Sequence, residues 1–165
     1  MGVNRYLPYV FVLPEDEKNR QLANGFWLEL DMVRQRQMQV LQVAGGWPNV
    51  VELFKVKHID EMKRYLEQRM VLLIDFDDRE NRFDTVLASV PNDLRDKVFI
   101  LGAHGEPEGL QRAGLGFPET IGSKMAKDCR EDTDEIWGHD LLRHNASELD
   151  RLREHVHPIL FQPVS

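Results

Sequence analysis

The chain has 165 residues, of which 42% are hydrophobic and 30% are charged, a globular composition that excludes wholesale disorder. Its 28 acidic and 21 basic residues give a net charge of −7, which argues against binding nucleic acid through the overall field. The single cysteine, Cys129, cannot form an internal disulfide, and no apolar run approaches the ~20 residues of a membrane helix. We therefore expect a soluble, cytoplasmic protein without a membrane partner, folded as one domain over residues 1–165.

Short apolar runs predict the strands of a mainly parallel sheet. Residues 9–13, 71–74 and 98–101 are rich in β-branched or aromatic side chains and lack polar alternation. That pattern is typical of strands covered on both faces. Residues 38–43 alternate in polarity and predict a more exposed strand, and residues 158–161 predict a closing strand.

Helical patterns lie between these runs. Leu22, Phe26 and Leu30 recur at a spacing of four after an acidic opening, which favours a helix N-terminus there. Asn145 and Glu148 predict a capping box at the start of a late helix. Because strands and helices alternate, we predict an α/β fold, a three-layer sandwich with a mainly parallel central sheet.

Acidic residues follow the first, third and fourth predicted strands, at the end where an open parallel sheet binds ligands. They are Glu15, Asp16 and Glu17 after the first, Asp75 and Asp77 after the third, and Glu106 and Glu108 after the fourth. In an extended strand, Asp75 and Asp77 point to one side while Phe76 points into the core. Two carboxylates so close repel each other unless a cation neutralises them. The pattern therefore predicts a site for Mg²⁺ (or Mn²⁺) and a phosphate-bearing substrate.

A structural interpretation of the same acids stays open. An Asp after a strand is a common turn or helix N-cap residue, and acidic loops are usually solvated. Which of Glu15, Asp16 and Glu17 faces the site also stays open, because a one-residue change in the end of the first strand exchanges them.

Two loops supply candidates for substrate binding. Gly45 and Gly46 follow the second strand, and they either present backbone amides to a phosphate or form a turn that needs positive φ. His104, in the loop after the fourth strand, is a candidate metal ligand or hydrogen-bond donor to a phosphate.

The remaining polar residues give weaker signals. Arg79 and Arg82 are the cations nearest to the Asp-x-Asp triplet along the chain. His139 and His144 are candidates for a second polar cluster. Cys129 lies on the apolar stripe of a predicted helix, which indicates a small core residue.

The layout resembles the Toprim family, the catalytic domain shared by type IA and type II topoisomerases, bacterial primases and overcoming-lysogenization-defect nucleases. In that family a Glu follows the first strand, a glycine-containing turn often follows the second, and an Asp-x-Asp follows the third. By position, Glu15 or Glu17 is similar to the family Glu, residues 45–46 to the turn, and Asp75 and Asp77 to the metal-binding pair.

The resemblance covers about residues 8–112, and residues 113–165 form a predicted helical C-terminal extension. Some small stand-alone members carry a further acidic motif after the fourth strand, to which residues 105–108 are similar. The family Glu is usually followed by Gly, whereas Asp16 follows Glu15 in this chain.

The resemblance implies Mg²⁺-dependent making or breaking of phosphodiester bonds. Glu15 would be the general acid or base, and Asp75 and Asp77 would bind the metal, with Glu106 as a further candidate. We therefore expect nuclease-like hydrolysis of a phosphodiester or other phosphate ester, by this chain alone or as the catalytic part of a larger complex. Nucleic acid as the substrate is implied by the resemblance alone.

Two other functions are alternatives. One is a receiver-like signalling domain phosphorylated on Asp75, although no suitable Lys follows a late strand. The other is a non-enzymatic interaction or regulatory protein, with a protein partner, on a Toprim-like scaffold with a degenerate site.

Overall fold

The computed structural model describes residues 2–76, 81–105 and 107–162, which form an α/β fold around a four-stranded sheet. The strands span Tyr9–Pro14 (β1), Met38–Val40 (β2), Gln68–Leu73 (β3) and Val98–Leu101 (β4). All are parallel, and their order in the sheet is β2-β1-β3-β4. The strands predicted from the three continuous apolar runs are confirmed, and β2 is shorter than predicted.

Helices connect the strands and follow the last of them. They span Glu17–Leu28 (α1), Trp47–Leu53 (α2), Ile59–Arg64 (α3), Asn81–Leu87 (α4), Pro107–Arg112 (α5), Pro118–Glu131 (α6), Ala146–His155 (α7) and His157–Leu160 (α8). A π-helical turn, Phe54–His58, joins α2 to α3, and 3₁₀ turns at Arg34–Gln37 and Asn92–Lys97 lead into β2 and β4. Within the described residues, none of these helices combines the length and apolar character needed to cross a bilayer.

Alternate side chains of β1 face two separate cores. Val10 and Val12 pack in one cluster with residues of α1, α6, α7 and α8. Tyr9, Phe11 and Leu13 pack in the other with residues of α2, α3 and α4. Helices therefore cover both faces of the sheet, an arrangement compatible with the predicted three-layer sandwich.

The C-terminal helices belong to the first of these cores. Ile121 of α6, Leu149 of α7 and Leu160 of α8 pack in the same cluster as the β1 residues. Cys129 is a core residue, as predicted: it is 2% exposed, and burial raises the pKa of its thiol to about 12.

Helices α1 and α6 approach so closely that glycine is required at two contact positions. A Cβ at Gly25 would lie 2.0 Å from the Glu119 carbonyl oxygen, and one at Gly122 would lie 1.9 Å from the Leu22 carbonyl oxygen. Real Cβ atoms do not come this near to backbone atoms, because the atoms would overlap. The interior is already densely packed, so the helices have no free space into which to shift. The contact fixes the position of α1, which begins shortly after Glu15.

Polar side chains cover the outer edge of β4. The Asn145 side chain accepts a hydrogen bond from the Gly102 N–H at 3.2 Å and donates one to the Gly102 carbonyl oxygen at 2.9 Å. Glu148 Oε2 accepts a hydrogen bond from the Ile100 N–H at 2.8 Å. These side chains satisfy the backbone groups that a fifth strand would otherwise pair, and they close the edge to other chains.

This edge overturns two predictions. The late helix begins where predicted, with Asn145 at the N-cap position of α7, but the capping box is wrong because the Asn145 side chain makes no cap hydrogen bond. Asn145 instead binds Gly102, directly after β4, and Glu148 binds Ile100 of β4, where an unpaired buried group costs more than at an exposed helix start. The closing strand at residues 158–161 is also wrong. With the β4 edge already satisfied, the segment forms α8, and Pro158 lies in its first turn, where proline is tolerated.

Candidate functional site

Glu15 lies directly after β1 and joins the neighbouring loops through its backbone and carboxylate. Its Oε2 accepts a hydrogen bond from the Asp75 N–H at 2.6 Å, and its Oε1 accepts one from the Trp47 N–H at 3.1 Å. Its own N–H donates to the Leu73 carbonyl oxygen at 2.9 Å. The residue is 9% exposed, so the carboxylate bridges the ends of β1 and β3 in a largely buried position.

Parallel pairing of β1 with β3 brings Asp75 to the same rim. Pro14 is in register with Leu73, so the residues that follow them leave the sheet side by side. Asp75 is 8% exposed, and its Oδ1 accepts a hydrogen bond from Asn19 Nδ2 at 3.0 Å. Glu15 and Asp75, the acids that follow β1 and β3, thus lie at the same rim of the sheet and are joined through the Asp75 backbone N–H.

The three consecutive acids after β1 have different surroundings. Asp16 is the N-cap of α1, and its Oδ1 accepts a hydrogen bond from the Asn19 N–H at 3.0 Å. Glu17 is exposed and forms an ion pair with Arg20 at 2.5 Å, and the hydrogen bond from Arg20 lowers the pKa of Glu17. Of the three acids, Glu15 is therefore the one that lies against the Asp75 backbone.

Asn19 links the carboxylates of Asp16 and Asp75, and the sequence did not single it out. Its fully buried Nδ2 donates to Asp16 Oδ1 at 3.1 Å and to Asp75 Oδ1 at 3.0 Å. Its Oδ1 is buried and makes no hydrogen bond with any residue that the structure describes. Asn19 lies three residues after Asp16, in the first turn of α1, where polar residues are common. Its residue type and position therefore gave only a weak indication of a functional role.

Burial raises the pKa of the Glu15 carboxyl above its usual value. The hydrogen bond from the Asp75 N–H lowers this pKa, the charge of Asp16 raises it further, and Arg82 and the Trp47 N–H lower it. A carboxyl with a raised pKa exchanges its proton nearer to neutral pH. That property suits a general acid or base.

A cation lies beside the two acids. The Arg82 guanidinium donates a hydrogen bond to the Asp75 carbonyl oxygen and lies 5.1 Å from the centroid of the Trp47 ring. Contact with the ring face stabilises the positive charge, and an arginine at this position is suited to binding a phosphate. Arg79, the other cation near the Asp-x-Asp triplet, lies outside the described residues.

Gly45 and Gly46 form the turn between β2 and α2. Both have positive φ, 86° and 110°, which favours glycine. Their N–H groups donate to the Glu15 carbonyl oxygen at 2.9 and 3.2 Å, so these amides are engaged within the chain. The geometry favours the turn interpretation, and substrate binding by the two glycines stays a prediction.

His104 lies one strand away from the acids, and its imidazole ring lies beside that of His144. The backbone of His104 forms a parallel bridge with Phe76, which extends the pairing of β3 with β4. The two imidazole centroids are 5.6 Å apart. His139, which the sequence grouped with His144, instead accepts a hydrogen bond from the Leu141 N–H through its Nδ1 at 3.1 Å.

Oxygen atoms of the kind that Mg²⁺ and Mn²⁺ prefer lie around Asp75. They are the Asp75 carboxylate and Asn19 Oδ1, which has no hydrogen-bond partner among the described residues. Asp77 and Glu106, the other predicted ligands, lie outside the described residues. Within the described part of the chain, no group of three or more His, Cys, Asp or Glu side chains is placed to hold a metal ion. A complete shell would thus need Asp77, Glu106, water or substrate oxygens.

No protein-family model, curated protein or solved structure matches this chain. The resemblance to the Toprim family accordingly stays a prediction from the sequence.

Proposed function

We propose that this protein uses Mg²⁺ or Mn²⁺ to hydrolyse a phosphodiester or another phosphate ester on a Toprim-like scaffold. The observation that carries the proposal is the 2.6 Å hydrogen bond from the Asp75 N–H to Glu15 Oε2, because it joins the acid after β1 to the acid after β3. These positions match what the Toprim resemblance implies, a Glu after the first strand and an Asp-x-Asp after the third.

In this proposal, Glu15 moves the proton and Asp75 binds the metal ion. The raised pKa of Glu15 allows it to give a proton to a leaving oxygen or to take one from water. Asp77 and Glu106 remain the further metal ligands that the sequence predicts. When bound, the metal ion would polarise the phosphoryl oxygens and neutralise charge that develops on them.

The rim around the acids binds the substrate. His104 donates a hydrogen bond to a phosphate oxygen, the turn at Gly45 and Gly46 shapes the rim, and Arg82 supplies a positive charge. Nucleic acid is the substrate class that the resemblance implies. A protein partner is expected if the chain is the catalytic part of a larger complex.

The Asp75→Asn and Glu15→Gln variants are expected to lose activity by about 100-fold or more, because Glu15→Gln removes the acid–base group and Asp75→Asn removes a charged metal ligand. The measurement is the cleavage of a labelled oligonucleotide and of bis(p-nitrophenyl) phosphate with Mg²⁺, with Mn²⁺ and with EDTA. EDTA should abolish the activity of the parent protein.

Glu17→Gln is the matched control for Glu15→Gln. Glu17 is exposed and paired with Arg20, so this variant should keep the activity of the parent. Equal cleavage by Asp75→Asn and the parent, or cleavage that EDTA leaves unchanged, would contradict the proposal.

A second candidate function is a non-enzymatic interaction protein. The observation that favours it is that both oxygens of the Glu15 carboxylate accept backbone hydrogen bonds, from Trp47 and Asp75. A carboxylate used in this way can hold two loops together without taking part in chemistry.

Thermal unfolding with and without divalent metal separates the two functions. Mg²⁺ or Mn²⁺ at about 100 times its dissociation constant adds about 2.7 kcal/mol of stability, which raises the Tm by about 5–10 °C for a chain of this length. We expect this increase in the parent and a smaller one in Asp75→Asn. A Tm that neither metal changes would favour the interaction protein.

A further inference from the structure

A groove of about 640 Å³ opens at the amino-terminal end of the sheet, opposite to Glu15. Its lining residues precede three neighbouring strands, and they are Val3, Asn4, Arg5 and Tyr6 before β1, Arg36 before β2 and Tyr65 before β3. The length of β1 separates this groove from the candidate catalytic rim by about 20 Å. We call it the amino-end groove.

The amino-end groove is positively charged in a protein whose net charge is −7. Arg5 and Arg36 line it, and its described lining contains no carboxylate. Neither arginine forms an ion pair with a residue that the structure describes. These two guanidinium groups, which have no carboxylate partner among the described residues, form the local basic patch that an anionic ligand needs.

Aromatic rings accompany the two cations. The Arg5 guanidinium lies 4.5 Å from the centroid of the Tyr65 ring, so the ring holds the guanidinium in place. Tyr6 is 98% exposed, which leaves both faces of its ring open to a ligand. An ordered turn holds this residue, because the Tyr6 N–H donates to Asn4 Oδ1 at 3.1 Å and the Asn4 N–H donates to the Arg36 carbonyl oxygen at 3.0 Å.

We propose that the amino-end groove binds a nucleotide unit, with the base stacked on Tyr6 and the phosphate bound by Arg5 and Arg36. Cations that follow a phosphate backbone and an open aromatic face for a base are the two features of single-strand recognition. An acidic peptide would match the arginines but would leave the exposed tyrosine face without a function. The inference is independent of the proposed hydrolysis, because it concerns the other end of the sheet.

The test is the fluorescence anisotropy of a labelled thymidine oligonucleotide of about 12 nucleotides at about 50 mM salt. EDTA and the Asp75→Asn background prevent cleavage, so a failure of the proposed catalysis does not affect the result. We expect Tyr6→Ala to weaken binding by about fivefold or more, and Tyr6→Phe to bind like the parent, since a stacking face is what matters. Arg36→Ala should also weaken binding and reduce the salt slope by about 0.7.

Arg143→Ala is the matched control for the loss of one charge. Arg143 is exposed and paired with Asp140 at 3.2 Å, so its removal should leave binding unchanged. If free AMP competes with the oligonucleotide, the groove binds a free nucleotide; if it does not, the groove needs a longer strand. Both results agree with the binding of a nucleotide unit. Equal competition by poly-glutamate, or parent-like binding by both Tyr6→Ala and Arg36→Ala, would overturn the proposal.

Discussion

The Gly122→Ala variant is expected to unfold with a free energy about 3 kcal/mol or more below that of the parent. A Cβ at this position would lie 1.9 Å from the Leu22 carbonyl oxygen and 3.0 Å from the Phe26 nitrogen. Because both contacts are with backbone, no side-chain rotation relieves them, and α1 must move away from α6. Urea unfolding of the parent and the variant measures the difference.

Gly109→Ala is the matched control for this substitution. Gly109 lies in α5, and a Cβ there would lie 3.5 Å from Leu141 Cδ1, an ordinary contact. Because alanine is favoured over glycine inside a helix by about 1 kcal/mol, this variant should be as stable as the parent or slightly more stable. A shared urea midpoint for Gly122→Ala and the parent would show that the two helices are not in close contact.

The second large effect is expected at the outer edge of β4. Asn145→Ala removes the hydrogen bonds to the N–H and the carbonyl oxygen of Gly102, a buried residue. Because each unpaired group carries its full desolvation cost, we expect a loss of about 3 kcal/mol in the free energy of unfolding. The bare edge should also pair with other chains, so light scattering should detect association that depends on protein concentration.

A pair of glutamates within α7 provides the control for this edge. Glu148→Ala leaves the Ile100 N–H without an acceptor and should cost about 2 kcal/mol. Glu154 is exposed on the same helix, so Glu154→Ala should change stability by less than about 0.5 kcal/mol. Equal stability of the two variants would contradict the role assigned to the Glu148 side chain.

The strands could be predicted where nearly every residue of a short segment is buried. β1, β3 and β4 lie between two helix layers, so most of their positions favour an apolar side chain and each strand contains a continuous apolar run. β3 begins three residues before its run, at Gln68 and Arg69, and this polar start was not predicted. Residues 158–161 are apolar for a different reason, since Ile159 and Leu160 are buried as one turn of α8. A run of four residues is too short for its periodicity to separate a strand from a helix.

The meeting of Glu15 with Asp75 was predictable because parallel strands end at the same edge of a sheet. The parts played by Asn19 and Trp47 were not predictable, since neither residue type marks such a site. Asn19 contacts Asp75 across 56 positions of the chain, and Trp47 donates its backbone N–H to Glu15 across 32. Contacts of this range depend on how α1 and the turn before α2 pack, and local patterns do not encode that packing.

The amino-acid sequence by itself determined the alternation of strands and helices and the acids that follow the strands, because both depend on side-chain patterns a few residues long. Only the tertiary structure decided that Glu15, rather than Asp16 or Glu17, lies against the Asp75 backbone. It also decided that Glu148 binds β4 instead of capping α7. The physical reason is the same in both cases: a buried backbone N–H must find an acceptor, and the acceptors nearest in space lie 60 and 48 positions away along the chain.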